Sequence, residues 1–170
     1  MRVPHHAAAI VLLAAALATG TATAADTAAG TASLVTTLRQ SPPESKEQFL
    51  LRVGAWMADR QEATGHESCG SICQTSSGEL AVMLFTSQRS HWCRMNFACP
   101  LSHPHMTAET IHSHPVSPGG GSFSRSDYRL GPGYLVRGRR MYYQNGPGTA
   151  APFPAPEPRD CNSLRCAGNR

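Results

Sequence analysis

"TIHSHPVSPGGGSFSRSDYRL", residues 110–130, decides how this chain is read. His112 and His114 stand one residue apart, Pro115 follows, and Ser124 and Asp127 come after a glycine-rich run. Side chains two apart on a strand share a face, so both imidazoles can hold one metal ion while Ser113 points away. A third ligand must come from elsewhere. Asp127 lies in a short helix predicted over 123–131 and ended by Gly131 and Pro132, and the loop can fold it back. Two imidazole nitrogens and one carboxylate oxygen suit Zn²⁺ with a fourth position open to water. Zinc lowers the pKa of water toward about 7 and polarises a carbonyl. Such a site also needs a general base and a donor for a developing oxyanion. Ser124, one helical turn before Asp127, can be the donor. The base should be a carboxylate from another element, and Glu67 opens a strand in the context "ESCGSIC".

Outward from this stretch, residues 42–65 predict a helix. Ser45 can cap it, Glu47 falls in its first turn, and Gly65 can end it. Phe49, Leu50, Val53, Trp56 and Met57 recur at helical spacing, as a core-facing stripe does. Residues 67–74 and 79–85 read as two strands about a turn at 76–78, 90–97 as a third, and 108–115 as extended up to Pro115. Residues 133–146 read as two short strands around Gly138. Helix, strands, helix, strands is the order of an α+β domain on a mixed or antiparallel sheet.

The ends differ in composition from the middle. Arg2, the apolar run at 7–17 and Ala22-Thr23-Ala24 form a signal-peptide pattern, residues 1–24, cut near Ala24. The run falls short of the ~20 apolar residues that span a bilayer, so no stable membrane span is expected. The mature protein is expected to be periplasmic or secreted. Residues 25–43 read as a lead-in, 44–146 as the domain and 147–170 as a proline-rich tail. Six cysteines, Cys69, Cys73, Cys93, Cys99, Cys161 and Cys166, are an even set in an exported chain and point to disulfides. On one strand Cys69 and Cys73 would be about 13 Å apart, beyond the ~7 Å a disulfide tolerates, so each needs another partner. Cys161 and Cys166 can form a local bridge. The net charge of +4, with Arg125, Arg129, Arg137, Arg139 and Arg140 after the motif, is that of a solvated surface. No nucleic-acid-binding motif accompanies it.

Glu67 before Cys69-Gly70, then H-S-H-P, then S-R-S-D, resembles the JAMM motif of the JAB/MPN metallopeptidase family: a distant Glu, H-x-H-P and S-x-x-D. The resemblance covers roughly residues 44–146. It implies a layered, cytidine-deaminase-like mixed sheet flanked by helices. It also implies one zinc held by His112, His114 and Asp127, with Glu67 activating water and Ser124 stabilising the tetrahedral intermediate. The nine residues between His114 and Ser124 exceed the family's usual seven, and the flexible "VSPGGGS" can absorb the excess. The implied activity is hydrolysis of an amide in a peptide, an isopeptide or a cell-wall peptide. The alternatives are a catalytically silent, disulfide-stapled binding or accessory protein of the same fold and a secreted effector or toxin domain.

Overall fold

The computed structural model describes residues 31–116 and 121–154. The signal-peptide pattern, Cys161, Cys166 and most of the proline-rich tail lie outside them. The fold is mixed α+β: one seven-stranded sheet, one long helix and one short one. The strands are β1 (Ser33–Arg39), β2 (Cys69–Gln74), β3 (Leu80–Thr86), β4 (His105–His114), β5 (Gly133–Arg137), β6 (Arg140–Gln144) and β7 (Ala151–Phe153). The helices are α1 (Lys46–Thr64) and α2 (Arg125–Arg129). Across the sheet the order is β1-β3-β2-β4-β5-β6-β7. Every pairing is antiparallel except β4 with β5. A parallel pair needs a crossover, and here it is the segment that carries α2.

Helix α1 forms where its sequence signals lie. Ser45 accepts a hydrogen bond from the Gln48 amide, and the Gln48 side chain returns one to the Ser45 amide. Gly65 ends the helix in the left-handed region, at φ 70°, where glycine is unstrained. The apolar stripe Phe49, Leu50, Val53 and Met57 packs on Ile72, Val82, Leu84, Ile111, Tyr134, Val136 and Met141. These strand residues share one face of the sheet. The alternation of strand side chains sends a second row, Phe85, Cys69, His112 and Leu135, to the other face.

That other face carries no helix among the described residues. Residues 87–104 cross it without regular structure, tied down by Cys69–Cys93 and Cys73–Cys99. Cys69 and Cys73 thus find separate partners, as their spacing requires. The strand expected at 90–97 does not form. Both edges of β2 are already taken by β3 and β4, so a strand there has no partner. Two further strands lie where none was expected. Within the segment read as a lead-in, "SLVTTLR" supplies β1 and pairs with β3. Past Gly146, "APF" supplies β7, and Phe153 packs edge-on against Tyr134. The sheet therefore begins before residue 44 and continues beyond 146. Neither strand shows a full alternation of apolar and polar residues, because each sits at a sheet edge where only part of a face is buried.

Gly70 shows how tightly the middle of the sheet is built. A Cβ there would run into the Met83 carbonyl oxygen and lie 3.1 Å from a Val82 methyl. A backbone oxygen in a central ladder cannot move aside cheaply. Gly70→Ala is therefore expected to destabilise the protein by about 1–3 kcal/mol, read as a lower urea midpoint at unchanged slope.

Candidate metal centre

His112 and His114 close the C-terminal end of β4, and Asp127 sits on α2. The Asp127 Oδ2 atom is 3.5 Å from His112 Nε2 and 3.9 Å from His114 Nε2. Such gaps are too long for good hydrogen bonds. They suit ligands that share an ion: atoms about 2.0–2.1 Å from one tetrahedral zinc lie roughly 3.4 Å from each other. His112 is buried, and neither of its ring nitrogens has a hydrogen-bond partner. Buried polar atoms are normally satisfied, so this imidazole fits a ligand role better than a structural one. His112, His114 and Asp127 form a group that could hold a metal ion.

Local structure aims each ligand. Phe123 packs edge-on against the His112 ring, at 5.8 Å between centroids, and also meets Tyr128. Ser124 is the N-cap of α2. Its backbone N–H donates to Asp127 Oδ2 at 2.6 Å, and its Oγ accepts from the Asp127 amide at 3.3 Å. The sequence S-x-x-D is thus a capping box whose acid reaches back, and the oxygen it fixes is the one facing both histidines. Burial opposes ionisation of Asp127. The neighbouring His112 and the Ser124 donors outweigh it and hold the carboxyl below the usual carboxylate range. His114 is driven down to about 4, first by burial and then by the charge of His112, with Arg137 and His91 adding to the effect against Asp127. It is therefore neutral near pH 7, the form in which an imidazole binds metal.

Glu67 reaches the same place from two residues before β2. Its amide donates to the Arg89 carbonyl and its carbonyl accepts from Thr86 Oγ1, both at 2.8 Å. The next residue, Ser68, is clamped by Ser113: Ser113 Oγ accepts from the Ser68 amide at 3.0 Å, and the Ser113 amide donates to the Ser68 carbonyl at 2.9 Å. The residue between the two histidines thus fixes the neighbour of Glu67. The Glu67 carboxyl is buried, and burial, followed by the negative charge of Asp127, raises its pKa to about 8.

Glu67, His112, His114, Ser124 and Asp127 line one cleft of about 570 Å³. All five residues singled out in the sequence are therefore brought together. The other candidates are elsewhere. Glu109 pairs with Lys46 at 2.7 Å and accepts from the Tyr134 hydroxyl, and Glu79 is exposed. His103 is buried beside Ser102, and His105 opens β4 at the surface. Sequence reading missed the residues that the bridged segment contributes: His91, Trp92, Arg94 and Met95. Their only signal was Cys93 in their midst. It missed the Ser113 clamp as well, since a serine between two histidines carries no mark of its role.

No family model, no curated protein and no solved structure matches this chain. The described residues define a disulfide-bridged α+β protein with a partly buried His-His-Asp group able to take a metal ion. Two disulfides fit an extracellular protein. No helix among the described residues is long and apolar enough to cross a membrane.

Two outcomes are expected. The purified, oxidised chain binds about one divalent metal ion, measured by elemental analysis after dialysis, and the His112→Ala/His114→Ala double variant binds none. The metal-free chain has a distinctive pH dependence. Folded His114 binds fewer protons than the unfolded chain between about 4 and 6.5, which raises stability with pH. Folded Glu67 binds more between 4.5 and about 8, which lowers it. The two oppose each other up to about 6.5, and above that Glu67 acts alone. Stability therefore falls from about pH 6.5 to about 8, by up to about 1.4 kcal/mol per unit. Chemical denaturation of Glu67→Gln should show that slope removed.

Proposed function

We propose that this chain is an exported, zinc-dependent metallohydrolase of the JAB/MPN type that cleaves an amide bond in a peptide, an isopeptide or a cell-wall peptide. The observation that carries the reading is the buried Glu67 carboxyl, which shares a cleft with the His112, His114 and Asp127 group. A carboxyl set there only for structure would be expected to have a partner, and no hydrogen bond or ion pair to its side chain is seen among the described residues. Zinc held by His112, His114 and Asp127 would polarise the scissile carbonyl and lower the pKa of water.

The chain's own groups do the rest. Glu67 accepts a proton from water in the cleft and delivers it to the leaving amine. Burial raises the pKa of this carboxyl in the metal-free cleft, toward the neutral range in which one group can both take up and release a proton. Ser124 Oγ accepts from the Asp127 amide and lies 2.6 Å from Ser126 Oγ. With Ser126 donating in that pair, the Ser124 proton is free for the oxyanion. Ser124 then has two tasks, fixing the ligand oxygen of Asp127 and supplying a donor. The bridged segment 87–104 forms a wall of the cleft, and its disulfides suit the oxidising compartment that the signal-peptide pattern implies.

The test is turnover of a fluorescence-quenched peptide library by the zinc-loaded chain. Hydrolysis is expected, with kcat lowered at least about 100-fold in Glu67→Gln while zinc stoichiometry is unchanged. Full activity in Glu67→Gln would remove Glu67 as the base. Zinc binding without cleavage of any amide would leave a silent binding protein.

A further inference from the structure

The cleft has an uneven distribution of charge. Its two carboxylates are committed inward: Asp127 faces both histidines and is held by Ser124, and Glu67 is buried. The bridged segment adds two charged or titratable side chains to the cleft lining, Arg94 and His91, both exposed. Among the described residues the Arg94 side chain makes no ion pair, and only its backbone amide is held, by Ser87 Oγ at 2.9 Å. Trp92, half exposed, adds an apolar surface to the same lining.

This rim is anchored rather than trailing. Cys69 is the strand partner of His112, and the Cα atoms of Cys69 and Cys93 are 6.0 Å apart. Paired Cα atoms in an antiparallel ladder are 4.5–5.5 Å apart, so the backbone of Cys93 lies within about 12 Å of that of His112. Arg94 is its immediate neighbour. His91 lines the same cleft as His114. A guanidinium is the side chain best shaped to take a carboxylate through two parallel hydrogen bonds.

Resting on the amide-hydrolase reading, we propose that the cleft takes substrates with a carboxylate beside the scissile amide, and that Arg94, assisted by His91, is the specificity residue that binds it. Trp92 covers the apolar part of the same substrate residue. Peptides with an acidic residue or a free terminal carboxylate next to the cleaved bond are the chemical class this selects.

The experiment uses the full oxidised chain carrying Glu67→Gln, so that no turnover intervenes. Calorimetric titration compares Ala-Glu-Ala with its neutral isostere Ala-Gln-Ala, both blocked at their termini, with zinc and without it. The acidic peptide is expected to bind about tenfold tighter or better. The preference should fall to near unity when Arg94→Gln is added, survive in part with Arg94→Lys, and reverse with Arg94→Glu. Arg94 is exposed, so these variants should keep the parent's thermal midpoint. Equal binding of the two peptides, a preference unchanged by Arg94→Gln, or no binding of either at millimolar concentration would overturn the proposal. The zinc-free titration separates this outcome from failure of the metal-site reading, because the carboxylate preference is scored there independently.

Discussion

The pairing of β2 with β4 is the constraint on which the site depends. It sets Cys69 opposite His112 and continues as a two-bond clamp between Ser68 and Ser113. Moving this register by one residue would turn both histidines into the core under α1 and bring Ile111 out to the cleft. It would also take Glu67 out of reach. A buried serine between the histidines makes such a slip costly, since it would leave the Ser68 amide and the Ser113 hydroxyl without partners in a dry interior.

The sheet uses its two faces differently. One is closed by α1 in ordinary helix-on-sheet packing, with Phe49, Leu50, Val53 and Met57 filling the layer. The other is closed by a segment with no regular structure, which has few hydrogen bonds of its own to hold it. The disulfides to Cys69 and Cys73 supply that restraint. A long irregular segment usually carries function, and this one brings the cleft residues that neither β4 nor α2 provides. The crossover from β4 to β5 places the capped carboxylate over the same end of the sheet, where ligands commonly gather in parallel βαβ units.

Much of this could be read from residues, and the reasons differ from place to place. Helix α1 was legible because capping and periodicity agreed at both ends: Ser45, Gly65 and the stripe between them. The hairpin around Gly138 was legible from its turn. The His-His-Asp group was legible because His112, His114 and Asp127 lie within one short stretch of sequence. The edge strands β1 and β7 were not, since a half-buried edge leaves little hydrophobic alternation. Nor was the course of 87–104, which long-range covalent bonds decide. The cysteine count showed that bridges existed without showing which wall of which cleft they held.

The two bridges have a consequence for how the chain becomes oxidised. They span 24 and 26 residues. The short alternatives, Cys69 with Cys73 and Cys93 with Cys99, would close loops of a few residues each. Loop-closure entropy in the reduced coil favours those short pairs by on the order of 3 kcal/mol. Among these four cysteines the remaining arrangement, Cys69 with Cys99 and Cys73 with Cys93, is entropically almost equal to the native one. Chain statistics therefore select against the native bonds or fail to distinguish them. What selects them is β2 in its extended form, which pulls Cys69 away from Cys73 and presents each to a different point of the overlying segment. Correct oxidation thus follows assembly of the central strands, and the disulfides preserve a fold they do not direct.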